Sequence, residues 1–183
     1  MIIKNNMIVE DEWQVLRSNE QNTADAITVP EGKVIVPLKV WHAQRERLLP
    51  RQQQGEIGVL FSSEERPEDL KNDVQGFPVI AVDFPVFSDG RGYSIAYNLR
   101  ARLGYSGELR AIGDVLRDQL FYMRRVGFDA FATRPDRDIH EAVKGFEVFS
   151  EVYQSSVNQK LPLFKRAHRK GKMSVEALND RNH

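Results

Sequence analysis

The chain of 183 residues contains no cysteine. That absence removes thiolate nucleophiles, disulfides, Cys-ligated zinc and Cys-held iron–sulfur clusters from its own chemistry. It also lacks an excess of charge: 26 Lys+Arg balance 26 Asp+Glu. A neutral sum argues against a wholly electrostatic nucleic-acid binder. No apolar run approaches the ~20 residues needed to span a bilayer, and Met1–Asn6 does not open an apolar signal segment; a cytoplasmic protein is expected. Histidine is scarce. His42, His140, His168 and His183 have no metal-ligand spacing with a nearby acid, so no metal site is expected. What remains is a 41% hydrophobic, 28% charged composition, suited to a packed core.

From Lys33 onward, short β-branched runs alternate with helical periods. The strand candidates are 34–36, 57–61, 79–84, 109–112 and 130–133, and the helix candidates are 38–49, 64–72, 92–103, 115–126 and 139–153. Ile139, Ala142, Val143, Phe146, Phe149 and Tyr153 form one helical stripe, and Leu116, Leu120 and Met123 another, with Asp114 as the expected N-cap and Gly127 as the stop. This alternation predicts an α/β fold of about five βα units with a mainly parallel, contiguous sheet. Five units are too few for a closed (β/α)8 barrel. Two forms remain, a partial TIM-barrel-like sheet and an open doubly wound sheet; charged residues alternating within 79–84 and 108–112 favour the first. Residues 1–30 read as an N-terminal arm with a small antiparallel β element made by Ile2-Ile3, Met7–Val9 and the following Trp13-Gln-Val-Leu16, and Arg17–Asp25 as a loop. Residues 31–160 form the α/β domain. Residues 161–183 are a basic tail, with Lys165, Arg166, Arg169, Lys170 and Lys172, read as a solvated tail or as a docking arm for an acidic partner.

The densest stretch is Phe84-Pro-Val-Phe-Ser-Asp-Gly-Arg-Gly-Tyr-Ser94. It follows a strand and opens a helix, the end of a parallel sheet where ligands bind. Ser88, Asp89, Gly90, Arg91, Gly92, Tyr93 and Ser94 could hold an oxyanion through helix-start N–H groups, close backbone approach and a guanidinium. The structural alternative is a helix cap and a tight turn. As a dinucleotide fingerprint the motif fails, because Ile95 stands where a third Gly or Ala is required. Asp83 and Arg110, on strands expected to be neighbours, suggest a charge pair or a ligand polariser. Asp114 is the remaining candidate for the same strand ends. Arg91 or Arg110 is expected to face a concave pocket.

Residues 77–133 resemble a bacterial family of unknown function that carries the label of an oxidoreductase involved in sulfite reduction. The resemblance rests on the 84–94 run, Asn98-Leu-Arg100, Leu109-Arg-Ala-Ile-Gly-Asp-Val-Leu116, Asp118-Gln119 and Arg125-Val-Gly-Phe-Asp-Ala-Phe131. It implies an association with assimilatory sulfite reduction and cysteine biosynthesis, but no catalytic residues. The expected function is that of an accessory or ligand-binding protein, with a small anionic ligand or sulfite reductase itself as partner. An oxidoreductase using a non-covalently bound nucleotide or flavin is the alternative, and a scaffold pairing with a second copy a third. Alone, the chain is expected to hold no iron–sulfur cluster and not to reduce sulfite.

Overall fold

The structure, a computed structural model, describes residues 1–17, 23–86 and 88–146, with Lys71 and Asn72 described by backbone alone. The expected strands are present as β4 (Val34–Pro37), β5 (Ile57–Phe61), β6 (Val79–Phe84), β7 (Glu108–Gly113) and β8 (Ala130–Phe131). They are contiguous and parallel. The antiparallel element expected at the N-terminus is the hairpin β1 (Ile2–Lys4) and β2 (Met7–Val9), whose turn places Asn5 and Asn6 at positive φ. Asparagine tolerates that conformation better than most residues. The hairpin joins β8 antiparallel, but the 13–16 run does not extend it: β3 (Gln14–Val15) crosses to the other sheet edge and joins β4 parallel. Residues 2–15 therefore extend both edges of one sheet, in the order β2-β1-β8-β7-β6-β5-β4-β3.

From β3 to β8 each strand lies beside the one before it in sequence. Right-handed crossovers that always advance the same way place their helices on one face. A doubly wound sheet needs a reversal of direction, and none occurs among the described strands. The result is a mixed α/β fold around a curled half-barrel sheet. Its helical face buries Val34, Val36, Val59, Phe61, Ile80, Val82, Phe84, Leu109 and Phe131 in the main core. The opposite face has a smaller apolar cluster of Ile35, Leu60, Val79, Ala81 and Ile112, against which Trp13 and Val15 pack. The N-terminal segment thus covers what no crossover helix reaches.

The helices differ in detail from the sequence expectation. The segment 38–49 is two helices, α1 (Leu38–Ala43) and α2 (Arg45–Gln53), because Gln44 leaves helical geometry. Its buried amide donates 2.8 Å bonds to the Ala24 and Ile27 carbonyls, tying the preceding loop to the break. The segment after β5 is a 3-10 helix, Pro67–Gly76, rather than an α-helix over 64–72. Helix α3 (Arg91–Tyr97) ends in a π turn over Asn98–Arg102. Helix α4 (Arg117–Val126) begins later than expected and stops at Gly127, which has φ +117°. Asp114 is not its cap: Leu116 holds that position, and the Gln119 side chain accepts the Leu116 N–H at 3.2 Å. Helix α5 (Ile139–Val143) continues as a 3-10 turn to Phe146 and is capped by the Asp138 carboxylate, which accepts the His140 N–H. Phe149, Tyr153, the remainder of the expected last helix, the basic tail and residues 18–22 of the expected loop lie outside the described residues.

Candidate functional site

The 84–94 motif is explained by packing. Gly92 is buried against Phe84, and a Cβ on it would lie 2.5 Å from that ring. Its lack of a side chain lets α3 close on β6, where Tyr93 meets Phe84 edge-on at 5.7 Å. Arg91 donates from Nε and Nη2 to the two Asp89 oxygens at 2.9 and 2.8 Å, with Glu64 3.4 Å from Nη1. Asp89 also accepts the Arg91 backbone N–H. The Arg91 fork, helped by the Ser63 hydroxyl, holds the Asp89 carboxyl well below the usual carboxylate range. The expected pocket-facing Arg91 is corrected accordingly: its fork lies on the neighbouring Asp89, and it lines neither of the strand-end clefts described below. Ser88, Gly90 and Ser94 are exposed beside this cap. Helix α3 has only seven residues, too short a stack of peptide dipoles to carry an anion site by itself.

The expected pair of Asp83 with Arg110 does not form. The register sets Ala81 opposite Arg110 and Asp83 opposite Ile112, so the two charges share a face but are offset by two residues. Each is taken by the N-terminal segment instead. Arg110, only 1% exposed, pairs with Glu108 at 2.7 Å and Asp11 at 2.9 Å, while Lys4 closes on Glu108 at 2.7 Å. Asp83 accepts two bonds from the Arg17 guanidinium, at 2.8 and 3.1 Å. Arg110 is a buried structural charge and does not face a solvent-reachable pocket.

The candidate site lies instead at the C-terminal ends of β6 and β7. An open cleft of about 500 Å³ is lined by Arg17, Asp83, Phe84, Pro85, Gly113, Asp114 and Arg134. Arg17 and Asp83 also border a second cleft of about 250 Å³, which extends to Lys39, Ser62 and Glu65 at the ends of β4 and β5. Asp83 and Asp114 come to the rim from adjacent strand ends, and the guanidiniums reach them from opposite sides. Arg17 arrives beyond β3, and Arg134 beyond β8 donates to Asp114 from Nη1 at 3.0 Å. Arg134 also holds Asp136 through Nε and Nη2, both at 2.9 Å, which pulls the Asp136 carboxyl down. These contacts order the rim as cation, acid, acid, cation.

Gly113 makes this rim possible. Its φ is +95°, and a Cβ there would meet the Phe84 carbonyl oxygen at 2.4 Å and an Asp83 carboxylate oxygen at 2.8 Å. The chain can bring Asp83 and Asp114 side by side only because that position has no side chain. The Asp114 N–H donates to the Phe84 carbonyl at 2.7 Å, closing the strand ends together.

Of the sequence candidates, Asp83 and Asp114 line the cleft; Asp89, Arg91, Gly92 and Tyr93 build the neighbouring turn; Arg110 lies beneath the opposite face. Sequence reasoning missed Arg17, Arg134 and Gly113 as site residues. Gly113-Asp114 directly after a strand was the one readable signal. Arg17 sits 66 residues from its partner in a polar stretch and carries none. Among the described residues no group of three or more His, Asp or Glu is placed to hold a metal ion, and no helix is long and apolar enough to cross a membrane.

A family model described as a bacterial protein of unknown function (DUF934) matches residues 58–164, from β5 to beyond α5, which includes Asp83, Gly113, Asp114 and Arg134 but not Arg17. No curated protein matches the chain.

Proposed function

We propose a function for a chain that belongs to the bacterial protein family of unknown function DUF934: it is an accessory, ligand-binding protein of assimilatory sulfite reduction and cysteine biosynthesis. Its ligand is small, carries an oxyanion group and binds at the strand-end rim. The observation that supports this reading is the cleft of about 500 Å³ between the Arg17 and Arg134 guanidiniums, at the C-terminal ends of β6 and β7. Parallel sheets place ligands at those ends, and a guanidinium that holds a carboxylate still brings positive charge and N–H groups in excess of those it has spent, which an oxyanion can share. The single-direction strand order supports reading the fold as part of a TIM-like barrel, in which this is the functional end. The link to sulfur assimilation rests on the family resemblance of residues 77–133. Sulfite reductase is the partner that reading names, and the cytoplasm the compartment.

Calorimetric titration of the purified chain with sulfite, sulfate and small organic sulfonates and carboxylates tests the proposal. At least one of these should bind, with affinity falling about tenfold or more in Arg134→Ala, the loss of one charge-assisted contact. Absence of binding across the panel, or binding indifferent to Arg17 and Arg134, would overturn it.

A further inference from the structure

The smaller strand-end cleft holds a cation that no described residue pairs. Of the cations lining the two clefts, Arg17 is held by Asp83, and Arg134 by Asp114 and Asp136. Lys39 has no carboxylate or hydrogen-bond partner among the described residues, so its charge and all three of its N–H donors stand open at the cleft. Local sequence puts it there: Leu38 and Val40 on either side are buried, at 2% and 0% exposure, and Lys39 between them is exposed just beyond β4. Register then aligns it with the neighbouring strand ends. Pro37 lies opposite Leu60, and Leu60 opposite Ala81. Two residues farther along each chain come Lys39, Ser62 and Asp83, all three on this cleft. The acids of the cleft are engaged, Glu65 with the Ser62 N–H at 2.7 Å and Asp83 with the Arg17 fork. An oxyanion entering here finds at Lys39 a charge that it does not have to take from a carboxylate.

We propose that the ligand carries a second anionic group at the far end of an extended stem, and that Lys39 binds that group while the rim at β6 and β7 binds the first. Arg17 and Asp83 line both clefts, so the two adjoin and one molecule can occupy both. Lys39 follows β4 and the larger cleft lies at the ends of β6 and β7, two to three strand spacings away, roughly 10–14 Å. The stem would run along Leu60, Phe84 and Pro85, the apolar part of the two linings. With the rim as the ligand site, the reading on which this assignment rests, Lys39 makes the site select elongated dianions over monoanions of the same length.

Matched probes separate the two ideas. Suberate and octanoate share a chain and differ in the second carboxylate; the α,ω-disulfonate of hexane and hexanesulfonate differ in the second sulfonate. In calorimetric titrations the dianion of at least one pair should bind about tenfold or more tightly than its monoanion, the scale of one charge-assisted hydrogen bond. Lys39→Met should abolish that preference, with an unchanged thermal unfolding midpoint showing that the fold is retained. Lys144→Met, which removes the same charge from α5's end, away from both clefts, should leave the preference in place. Dianions that bind no tighter than their monoanions, a preference that survives Lys39→Met, or one that Lys144→Met removes equally would overturn the Lys39 assignment and leave the oxyanion site standing. No binding by any of these probes or by sulfite would overturn both.

Discussion

The two ends of the sheet use arginine and aspartate in opposite ways. At the N-terminal ends of β7 and β8, Arg100 donates to the Gly127 carbonyl at 2.9 Å, the Tyr105 and Gly107 carbonyls at 2.6 and 2.8 Å, and Asp129 at 2.7 Å. Its side chain is 13% exposed. Gly127 lies so close that a Cβ there would sit 2.4 Å from Arg100 Cγ. Asp129 in turn accepts the Leu109 N–H at 2.9 Å. At the C-terminal ends, Arg17 and Arg134 hold only carboxylates and stay largely or partly open to solvent, with exposures of 55% and 39%. An arginine bonded to backbone carbonyls has partners that cannot move away, so it sets chain geometry. An arginine bonded to a side-chain carboxylate at a cleft can share that partner with a ligand. On the proposed reading, the first end serves stability and the second recognition.

The largest expected effect tests the first half of that contrast. Arg100→Ala leaves three carbonyls and the Asp129 carboxylate without their donor, and such a break of a buried charged network costs about 3–5 kcal/mol. Urea unfolding should show it; a loss below about 1 kcal/mol would mean that the clamp is ornamental. Next comes Gly113→Ala at the opposite end. The positive φ and the contacts with the Phe84 carbonyl and Asp83 should cost about 3 kcal/mol. The same variant should also disrupt the cleft, because Asp83 must move. A variant that keeps wild-type stability and ligand binding would remove the rim's geometric basis.

A smaller effect separates the acids. Burial pushes the Asp129 carboxyl up despite Arg100 beside it, whereas the Arg134 fork pulls Asp136 down. A raised carboxyl takes up its proton first in the folded state, so its contribution grows as pH falls through its folded value towards the usual carboxylate range. A lowered carboxyl contributes fully above its unfolded value and loses that contribution as pH falls through its folded value. The stability gap between wild type and Asp129→Asn should therefore widen on acidification through that first window. The gap for Asp136→Asn should shrink below the usual carboxylate range. Parallel trends in acid-dependent thermal melts would contradict the assignment. The smallest change belongs to Arg91→Ala. With 57% of that side chain exposed and its fork on Asp89, stability should change little, and titrations with the sulfonates and carboxylates should be unaltered. A large loss of binding would return the 84–94 turn to the site.

Local pattern was enough for the strands, since runs such as Ile57–Phe61 and Val79–Phe84 are buried on nearly every residue and read as apolar segments between breakers. It misread Asp114 because an acid before an amphipathic helix resembles a cap, while the helix in fact starts three residues later, at Arg117, with Gln119 serving the cap. It paired Asp83 with Arg110 because neighbouring strands were foreseen but their register was not; an offset of two residues leaves opposite charges diagonal rather than facing. The glycine-rich motif drew attention for the right residue type and the wrong neighbour, as Gly92 makes room for Phe84 and not for an anion.

By itself, the amino-acid order determined the βα alternation, the parallel strands, the absence of thiol chemistry and the helix stop at Gly127, all of which follow from composition or from periods within about fifteen residues. Tertiary structure alone decided that residues 2–15 reach both sheet edges, that Asp11 and Arg17 claim the charges of β7 and β6, and that Arg17 and Arg134 flank two acids on one rim. Those contacts span from about twenty to about a hundred residues of chain. No local period encodes them, because they arise where sheet register and strand order bring distant segments to the same end.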